Sequence, residues 1–383
     1  MSRIYLSAPH MGGQEQAYVA DAFSSNWLSS VGPNLDAFEA EFSKLVGLPC
    51  VALSSGTAAI HLGLKLLGVG AGDEVLCPSF TFAASANPVI YQGATPVFID
   101  SETTSWNLNP NLVEDALKGR RRPRAIVVVH LFGQTADMAA LCDLADRYGV
   151  PLLEDAAEAL GATYQDKPAG SLSPVAAFSF NGNKIITTTG GGMLVAKDRA
   201  WVEKARFWST QARDPGPAYS HSELGFNYRM SNVLAGIGRG QLQQLDARVA
   251  ARRRIAFRYR DAFADLAGLQ LMPQAPWGLH TNWLSCFLVD SGCFGASRDT
   301  IMQALAAEDI EARPLWKPMH LQPFFRDAPF YGGGVSADLF ARGICLPSSS
   351  NLTPEQQNRV IAVVRGCARA TSRPALEQAV ADG

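Results

Sequence analysis

The sequence lacks the features that mark membrane, secreted and nucleic-acid-binding proteins. It has no apolar stretch long enough to span a bilayer, and its start, MSRIYLSAPHMGG, has neither the apolar core nor the cleavage site of a signal peptide. Its 33 basic and 35 acidic residues leave a net charge of −2 and no basic face, so nucleic acid is not predicted as a partner. We expect a cytoplasmic protein that acts on small molecules and makes no membrane contact.

Cysteine pairs with metal-binding or redox spacing are also missing. The seven cysteines are odd in number and scattered, without a CxxC motif, so we expect reduced structural thiols and predict no metal site. The chain shows no internal repeat and no low-complexity segment. Its 383 residues exceed the usual size of one core and 47% are apolar, which predicts a large domain with a smaller companion.

From about residue 50, short apolar runs alternate with helical patterns. Continuous runs such as CVALSS, TPVFID and AIVVVHLFG, joined by amphipathic helices, are typical of parallel strands buried on both faces. They predict an α/β sandwich over residues 50–240. Ligands gather at the carboxyl ends of the strands in such sheets, so that edge is where we expect the site.

The flanking segments predict helices before the sandwich and an α+β lobe after it. Two helices, over residues 12–26 and 34–47, precede it, and residues 232–266 have a long helical pattern, broken once. The remainder mixes short strands, a helix and a closing helix from Thr353. We therefore predict a first domain over residues 1–240 and a second over residues 241–383.

Lys184 stands out in the stretch FSFNGNKIITTTGGGML, residues 178–194. An isolated lysine is most often a solvated surface residue. Here the flanking pieces AAFSF and GGMLVA are typical of buried strands, so the loop between them is predicted at a sheet end. A lysine that burial keeps partly deprotonated can condense with carbonyls or with pyridoxal phosphate. The three glycines either start the next strand or let the backbone pass close to a cofactor or a partner subunit.

Pyridoxal phosphate would also require an anion site for its phosphate. The segment VALSSGTAAIHL places Ser55, Gly56 and Thr57 after a buried strand and at the start of a helix. Free backbone N–H groups and the helix dipole favour an anion there. The same residues suit an ordinary helix N-cap equally well, so both interpretations stay open.

The cofactor would further require a carboxylate to keep its ring nitrogen protonated. In VPLLEDAAEALGA an apolar strand ends in Glu154 and Asp155. The alternation of a strand puts Leu153 and Asp155 on one face, consistent with an inward-pointing Asp155. A carboxylate that caps the next helix is the alternative.

These segments resemble the pyridoxal phosphate-dependent nucleotide-sugar aminotransferases of the DegT/StrS family. The similarity runs over nearly the whole chain, through the segments NWLSSVGPNLDAFE, LSSGTAAIHL, PSFTFAASANPV, EDAAEALGA, FSFNGNKIITTTGGGM, GFNYRMSN and RPLWKPMH. The resemblance implies the aspartate aminotransferase-like fold (pyridoxal phosphate fold type I), with a mostly parallel seven-stranded sheet in the large α/β domain and a smaller α+β C-terminal domain. It also implies a homodimer with shared active sites.

The resemblance implies roles for individual residues around the cofactor. Lys184 matches the lysine that bonds to the cofactor and later carries a proton between substrate carbon and cofactor. The other matches are Asp155 on the pyridine nitrogen, Phe82 stacked on the ring, Gly56, Thr57 and Ser179 on the phosphate, Asn227 reaching that phosphate from the other subunit, and Glu158, which stands where relatives commonly carry Gln or His near the ring hydroxyl.

Within the family, the segments NGNKIITT, FWSTQARD and RPLWKPMH look most like the branch that aminates C4 of a UDP-linked 2-acetamido-4-keto-2,6-dideoxyhexose, with glutamate as donor and 2-oxoglutarate as co-product. That branch serves bacillosamine-type sugars. Cationic side chains can clamp a diphosphate and aromatic rings can stack on uracil. The candidates for holding sugar and nucleotide are Asn26, Trp27, Leu28, Ser29, Arg229, Arg313, Trp316, Lys317 and His320.

Other interpretations stay open. Trp316 also suits a core aromatic and His320 a structural donor. The reaction could be C3 or C4 amination of another UDP-, dTDP- or GDP-linked ketosugar, and a cofactor-binding regulatory protein without turnover is a further alternative. Sugar 3-dehydratases with this fold replace the lysine by histidine, so Lys184 argues against that class.

Overall fold

The computed structural model of the chain describes residues 2–119 and 122–368. The strands are β1 (Cys50–Leu53), β2 (Glu74–Pro78), β3 (Thr95–Ile99), β4 (Ala125–Val129), β5 (Leu152–Asp155), β6 (Thr163–Tyr164), β7 (Lys167–Pro168), β8 (Val175–Ser179), β9 (Gly192–Ala196), β10 (Leu269–Leu271), β11 (Ser285–Val289), β12 (Arg313–Pro314), β13 (Phe330–Tyr331) and β14 (Gly343–Leu346). The helices are α1 (Glu15–Ser24), α2 (Pro33–Val46), α3 (Gly56–Leu66), α4 (Asn87–Tyr91), α5 (Pro110–Gly119), α6 (Met138–Tyr148), α7 (Arg199–Ser209), α8 (Asn232–Leu242), α9 (Leu245–Ala262), α10 (Ser291–Phe294), α11 (Arg298–Ala307), α12 (Val335–Arg342) and α13 (Pro354–Gly366).

The main sheet has the strand order β1-β9-β8-β5-β4-β2-β3-β13. Only β9 runs antiparallel to its neighbours, β1 and β8, so the predicted mostly parallel sheet is confirmed. Seven strands come from residues 50–196, and β13, a two-residue strand from the C-terminal part of the chain, adds an eighth beside β3. So short a strand carries no periodic pattern that a sequence could show.

Both faces of this sheet are buried, as the continuous apolar runs predict. All five residues of β4 are buried. On one face Leu153 clusters with Leu62 of α3, and on the other Val128 clusters with Leu141 of α6. The sheet is therefore a rigid middle layer, and its loops at the carboxyl ends of the strands are free to form a site.

The flanking elements also follow the sequence pattern. Helices α1 and α2 pack against α8, and the helical pattern after residue 231 breaks once, between α8 and α9. A second sheet, β10-β11-β14-β12, is antiparallel and packs with α9, α12 and α13, which confirms a smaller α+β part. Thr353 caps α13 with a capping box. The division at residue 240 stays a prediction.

The helices in the described part of the chain fall short of the length and apolarity that a bilayer crossing requires.

Candidate active site

A cavity of about 280 Å³ opens at the carboxyl ends of the central strands. It is lined by residues that follow β1 and β2, that end β5 and β8, and that belong to the loop between β8 and β9. The predicted residues that line it are Gly56, Thr57, Phe82, Asp155, Glu158, Ser179, Lys184 and Trp316. Three predicted chemical functions, an amine, a carboxylate and an anion site, thus meet in one cavity.

Lys184 lies in the loop between β8 and β9, and its side chain is only 13% exposed. Its Nζ is 4.0 Å from Glu158 Oε1 and 4.1 Å from the ring centroid of Trp283. Burial lowers the pKa of Lys184, against the opposing effect of Glu158 and Asp155. A lowered pKa leaves more of the lysine as the neutral amine, which is the form that acts as a nucleophile or base.

Asp155 ends β5 and is 4% exposed. Ser85 Oγ donates to Asp155 Oδ2 over 2.6 Å and is itself 2.7 Å from Thr81 Oγ1. The N–H of Ala157 donates to Oδ1 over 3.1 Å, but no helix follows at this point, so Asp155 is not a helix cap. The buried carboxylate keeps acceptor capacity toward the cavity for a cationic N–H.

The predicted anion site lies at the N-terminus of α3. Ser55 caps this helix, with Oγ accepting from the N–H of Ala58, so the ordinary N-cap interpretation is also true of Ser55. A Cβ on Gly56 would come within 2.9 Å of Ser179 Cβ, which means that the turn and the end of β8 approach as closely as glycine permits. The backbone N–H groups of the first turn and the hydroxyls of Thr57 and Ser179 can together hold a phosphate.

Glu158 also lines the cavity and is 4% exposed. The N–H of Phe132 donates to Oε2 over 2.7 Å and Trp316 Nε1 donates to Oε1 over 3.3 Å. Burial raises the pKa of Glu158, while Lys184 and these two donors act in the opposite direction. Phe132 has a left-handed backbone, φ +51°, so the contact with Glu158 lies at an unusual turn.

The other predicted residues lie outside this cavity. Arg229 pairs with Glu39 and donates to the carbonyl of Ala52, and Arg313 pairs with Glu311 on the exposed surface. His320 Nδ1 is 2.6 Å from Ser79 Oγ, and its ring stacks on Phe330. The remaining ones are exposed: Asn26, Trp27, Leu28, Ser29, Asn227 and Lys317. Their contacts with a substrate or a second subunit stay predictions.

Sequence reasoning missed several residues of the site. Ser85, which donates a hydrogen bond to the carboxylate of Asp155, lies in the segment PSFTFAASAN, in which only Phe82 is predicted to belong to the site. Trp283, whose ring lies beside Lys184 Nζ, reads in NWLSCFLVD as part of an ordinary buried strand. Both serve the site through contacts between segments far apart in sequence, which no local spacing reveals.

The residues present fit pyridoxal phosphate. Its phosphate matches the helix N-terminus with its hydroxyls and the close approach at Gly56, its ring nitrogen matches the buried Asp155, and its aldehyde matches Lys184. Phe82, 54% exposed and with its ring 5.4 Å from that of Trp316, supplies an aromatic face at the mouth of the cavity.

Comparison with known proteins agrees with this chemistry. Residues 9–365 match the DegT/DnrJ/EryC1/StrS aminotransferase family. The chain is 52% identical over 371 residues (94% of this chain, 95% of the relative) to EpsN of Bacillus subtilis (strain 168), classed by name with pyridoxal phosphate-dependent aminotransferases. It is 39% identical over 366 residues (95% and 98%) to GDP-perosamine synthase of Caulobacter vibrioides. A crystal structure of a DegT DnrJ EryC1 StrS aminotransferase from Brucella abortus superposes with a TM-score of 0.86 at 28% identity, covering 93% of this chain and 96% of that one.

Proposed function

Because the chain belongs to the DegT/DnrJ/EryC1/StrS aminotransferase family, we propose that it transfers the amino group of L-glutamate to the C4 keto carbon of a UDP-2-acetamido-2,6-dideoxy-4-hexulose. The product would be a UDP-4-amino-4,6-dideoxy-N-acetylhexosamine for glycan or polysaccharide biosynthesis. The chain is a pyridoxal phosphate-dependent sugar aminotransferase of fold type I. To this activity the proposal adds UDP as the nucleotide, C4 as the position of amination, L-glutamate as the amino donor and a homodimer as the assembly.

One observation carries the proposal: Lys184, Asp155 and the N-terminus of α3 surround a single buried cavity. When bound, pyridoxal phosphate supplies an aldehyde that exchanges amines and a ring that withdraws electrons. Asp155 holds the ring nitrogen protonated, and Ser85 orients that carboxylate. Lys184 would take the proton from the substrate carbon that bears the amino group and deliver it to the cofactor, and it would carry a proton in the opposite direction when the keto sugar is aminated.

The chemistry of the cavity also supports a role for a second subunit. Within the described ranges, Lys184 is the one basic residue that lines the cavity. The diphosphate of a nucleotide sugar requires cations, and the chain presents Lys317 and Arg313 on its surface, outside its own cavity. Within the predicted substrate segment, residues 26–29, the apolar side chains of Trp27 and Leu28 are 44% and 48% exposed, which fits a segment that completes a site at an interface. We therefore include a homodimer with shared sites in the proposal.

A GDP-linked 4-keto sugar is the second candidate substrate. It is favoured by the 39% identity with GDP-perosamine synthase over 98% of that protein. The UDP sugar is preferred on the resemblance of the loop around Lys184 and of the segment RPLWKPMH.

The first experiment is a glutamate-dependent assay over UDP-, dTDP- and GDP-linked 3- and 4-ketosugars, followed by mass spectrometry of the aminated product. Lys184→Ala should abolish formation of 2-oxoglutarate and the visible absorbance of the lysine-bound cofactor. Lys44→Ala, on the exposed last turn of α2, is the matched control and should keep both. Turnover retained in Lys184→Ala would refute the role of Lys184, and a preference for the GDP sugar would select the second candidate.

A mixing experiment tests the shared site. If Asn227 serves the partner's site, Lys184→Ala and Asn227→Ala chains should each be inactive alone. A hybrid dimer would then contain one site with both residues intact, so mixing should restore activity. Mixtures that stay inactive although hybrid dimers form would refute this part of the proposal.

A further inference from the structure

Arg252 is a buried cation directly behind the active-site lysine. It lies on α9, and its side chain is 1% exposed. The guanidinium makes four hydrogen bonds, all to neutral oxygens. Nη1 donates to the carbonyls of Trp283 (2.6 Å) and Ser348 (3.0 Å), and Nη2 donates to Ser7 Oγ (3.1 Å) and to the carbonyl of Lys184 (3.4 Å). The fork therefore joins four segments that are distant in sequence.

The same contacts fix the position of the lysine from two sides. The carbonyl of Asn183 accepts from Ser7 Oγ over 2.6 Å and from Trp283 Nε1 over 2.8 Å. The next carbonyl, that of Lys184, accepts from Arg252. The ring of Trp283 lies 4.1 Å from Lys184 Nζ. Arg252 thus binds the backbone of the lysine and the backbone of Trp283, whose indole lies beside the lysine amine.

A buried cation is costly unless an acid pairs with it, and none contacts Arg252 in the described part of the chain. Burial lowers the pKa of Arg252 to about 9, and Arg248 on the same helix acts in the same direction. The other titratable group near it, His10 of the N-terminal segment, is also basic. The acids nearby face other groups: Glu15 interacts with His10 and Arg248, and Glu158 and Asp155 interact with Lys184.

We propose that Arg252 is a positioning residue for Lys184: its fork fixes the backbone of Lys184 and the backbone of Trp283, whose indole lies beside the lysine amine. The planar fork explains why arginine occupies the position, because lysine could not bind carbonyls from several segments at once. The inference rests on the role of Lys184 in the proposed function.

The test compares Arg252→Met and Arg252→Lys in the full-length holoenzyme. Arg252→Met keeps the length of the side chain and removes both charge and fork. We expect the visible band of the lysine-bound cofactor to form more slowly when pyridoxal phosphate is added, because the lysine amine is no longer held in place. The kcat should fall about tenfold or more while KM changes little, because Arg252 acts on the position of Lys184 and makes no contact with the cavity. Arg260→Met, on the exposed side of α9, should change neither value.

Arg252→Lys tests the effect of the planar guanidinium separately from that of the positive charge. It is also a second variant that can be measured if Arg252→Met does not fold. It keeps the cation but loses the planar fork, so the visible band should again form more slowly and kcat should again fall. Circular dichroism and cofactor content must match the wild type for either variant to be interpreted.

The outcomes are distinguishable. A folded Arg252→Met protein in which the visible band forms at the wild-type rate and kcat is unchanged would overturn the inference, and so would a chain that folds with neither substitution, because Arg252 would then serve folding alone. A wild-type protein without a pH-sensitive visible band would instead refute the proposed function of Lys184.

Discussion

Replacing Glu158 by Gln removes a charge beside Lys184, the proposed catalytic lysine, and hardly changes the volume of the side chain. Glu158 Oε1 is 4.0 Å from Lys184 Nζ, and both side chains are buried. The carboxylate attracts the lysine ammonium and so stabilises its protonated form. In Glu158→Gln that attraction is lost, and the pKa of Lys184, already lowered by burial, should fall further.

The size of this effect has an upper limit. Two unit charges 4 Å apart interact by about 4 kcal/mol at an effective dielectric constant near 20, which corresponds to a pKa shift of about three units. The loss should be smaller than this limit for two reasons. Asp155 still attracts Lys184 in the variant, and burial raises the pKa of Glu158, so that Glu158 carries its full charge only at higher pH. We expect a downward shift of about one unit.

The measurement is a pH titration of the visible absorbance of the cofactor-loaded protein. Glu203→Gln, at an exposed glutamate of α7, is the control and should leave the midpoint unchanged. A midpoint that stays or rises in a folded Glu158→Gln protein would refute the electrostatic role of Glu158.

The same variant has a second, independent consequence. Glu158 accepts hydrogen bonds on both oxygens, from the N–H of Phe132 and from Trp316 Nε1. A glutamine has one oxygen for these two donors, so one of them loses its partner. An unsatisfied buried donor costs about 1–3 kcal/mol, which urea denaturation at neutral pH can measure.

Three further changes test other parts of the structure. Ser85→Ala removes the hydroxyl that donates to Asp155 Oδ2; the lost bond to a charged group should lower kcat about tenfold without unfolding the chain, and an unchanged kcat would contradict its orienting role. Gly192→Ala would place a Cβ 2.4 Å from the carbonyl carbon of Ser55, so thermal denaturation should show a loss of several degrees in Tm and weaker cofactor binding; normal values would show that the turn yields easily. Burial lowers the pKa of His280 to about 4, so between pH 6.5 and 4 only the unfolded chain takes up this proton, and unfolding becomes easier by about 1.4 kcal/mol per pH unit. Urea denaturation at pH 7 and 4.5 should show a smaller loss of stability in His280→Asn than in the wild type, and equal losses would contradict the assignment.

The sequence predicts the sheet and the groups at its carboxyl edge because both follow from local patterns. Glu154 and Asp155 are neighbours, yet the pleat of β5 turns them to opposite faces. Asp155 faces the cavity, whereas Glu154 is fully buried, lies 2.8 Å from His130 Nε2 and accepts from the N–H groups of Gly170 and Ser173. The alternation therefore separates Asp155, the carboxylate proposed to bind the cofactor, from Glu154, a structural carboxylate.

The parts of the site that escape prediction depend on contacts between distant segments. Trp316 is 158 residues from the Glu158 that it contacts, and Arg252 is 68 residues from Lys184. A helical pattern shows that Arg252 lies on a helix, but an arginine on an amphipathic helix ordinarily points to solvent. Only the packing of α9 against the lysine loop and the loop after β14 buries it.

The three glycines after Lys184 also differ in ways that depend on contacts with distant segments and that the sequence does not reveal. Their φ angles are open to any residue, so space and not backbone conformation distinguishes them. A side chain at Gly190 would meet nothing within 4 Å, one at Gly191 would collide with Thr188 and Met230, and one at Gly192 would collide with the backbone of Ser55 and Gly56. Gly192 begins β9, which lies beside β1, so the absence of its side chain lets the turn after β1, the predicted phosphate site, rest directly on the strand that follows the lysine loop. This backbone contact fixes the predicted phosphate site and Lys184 relative to each other, as a cofactor held at both ends would require.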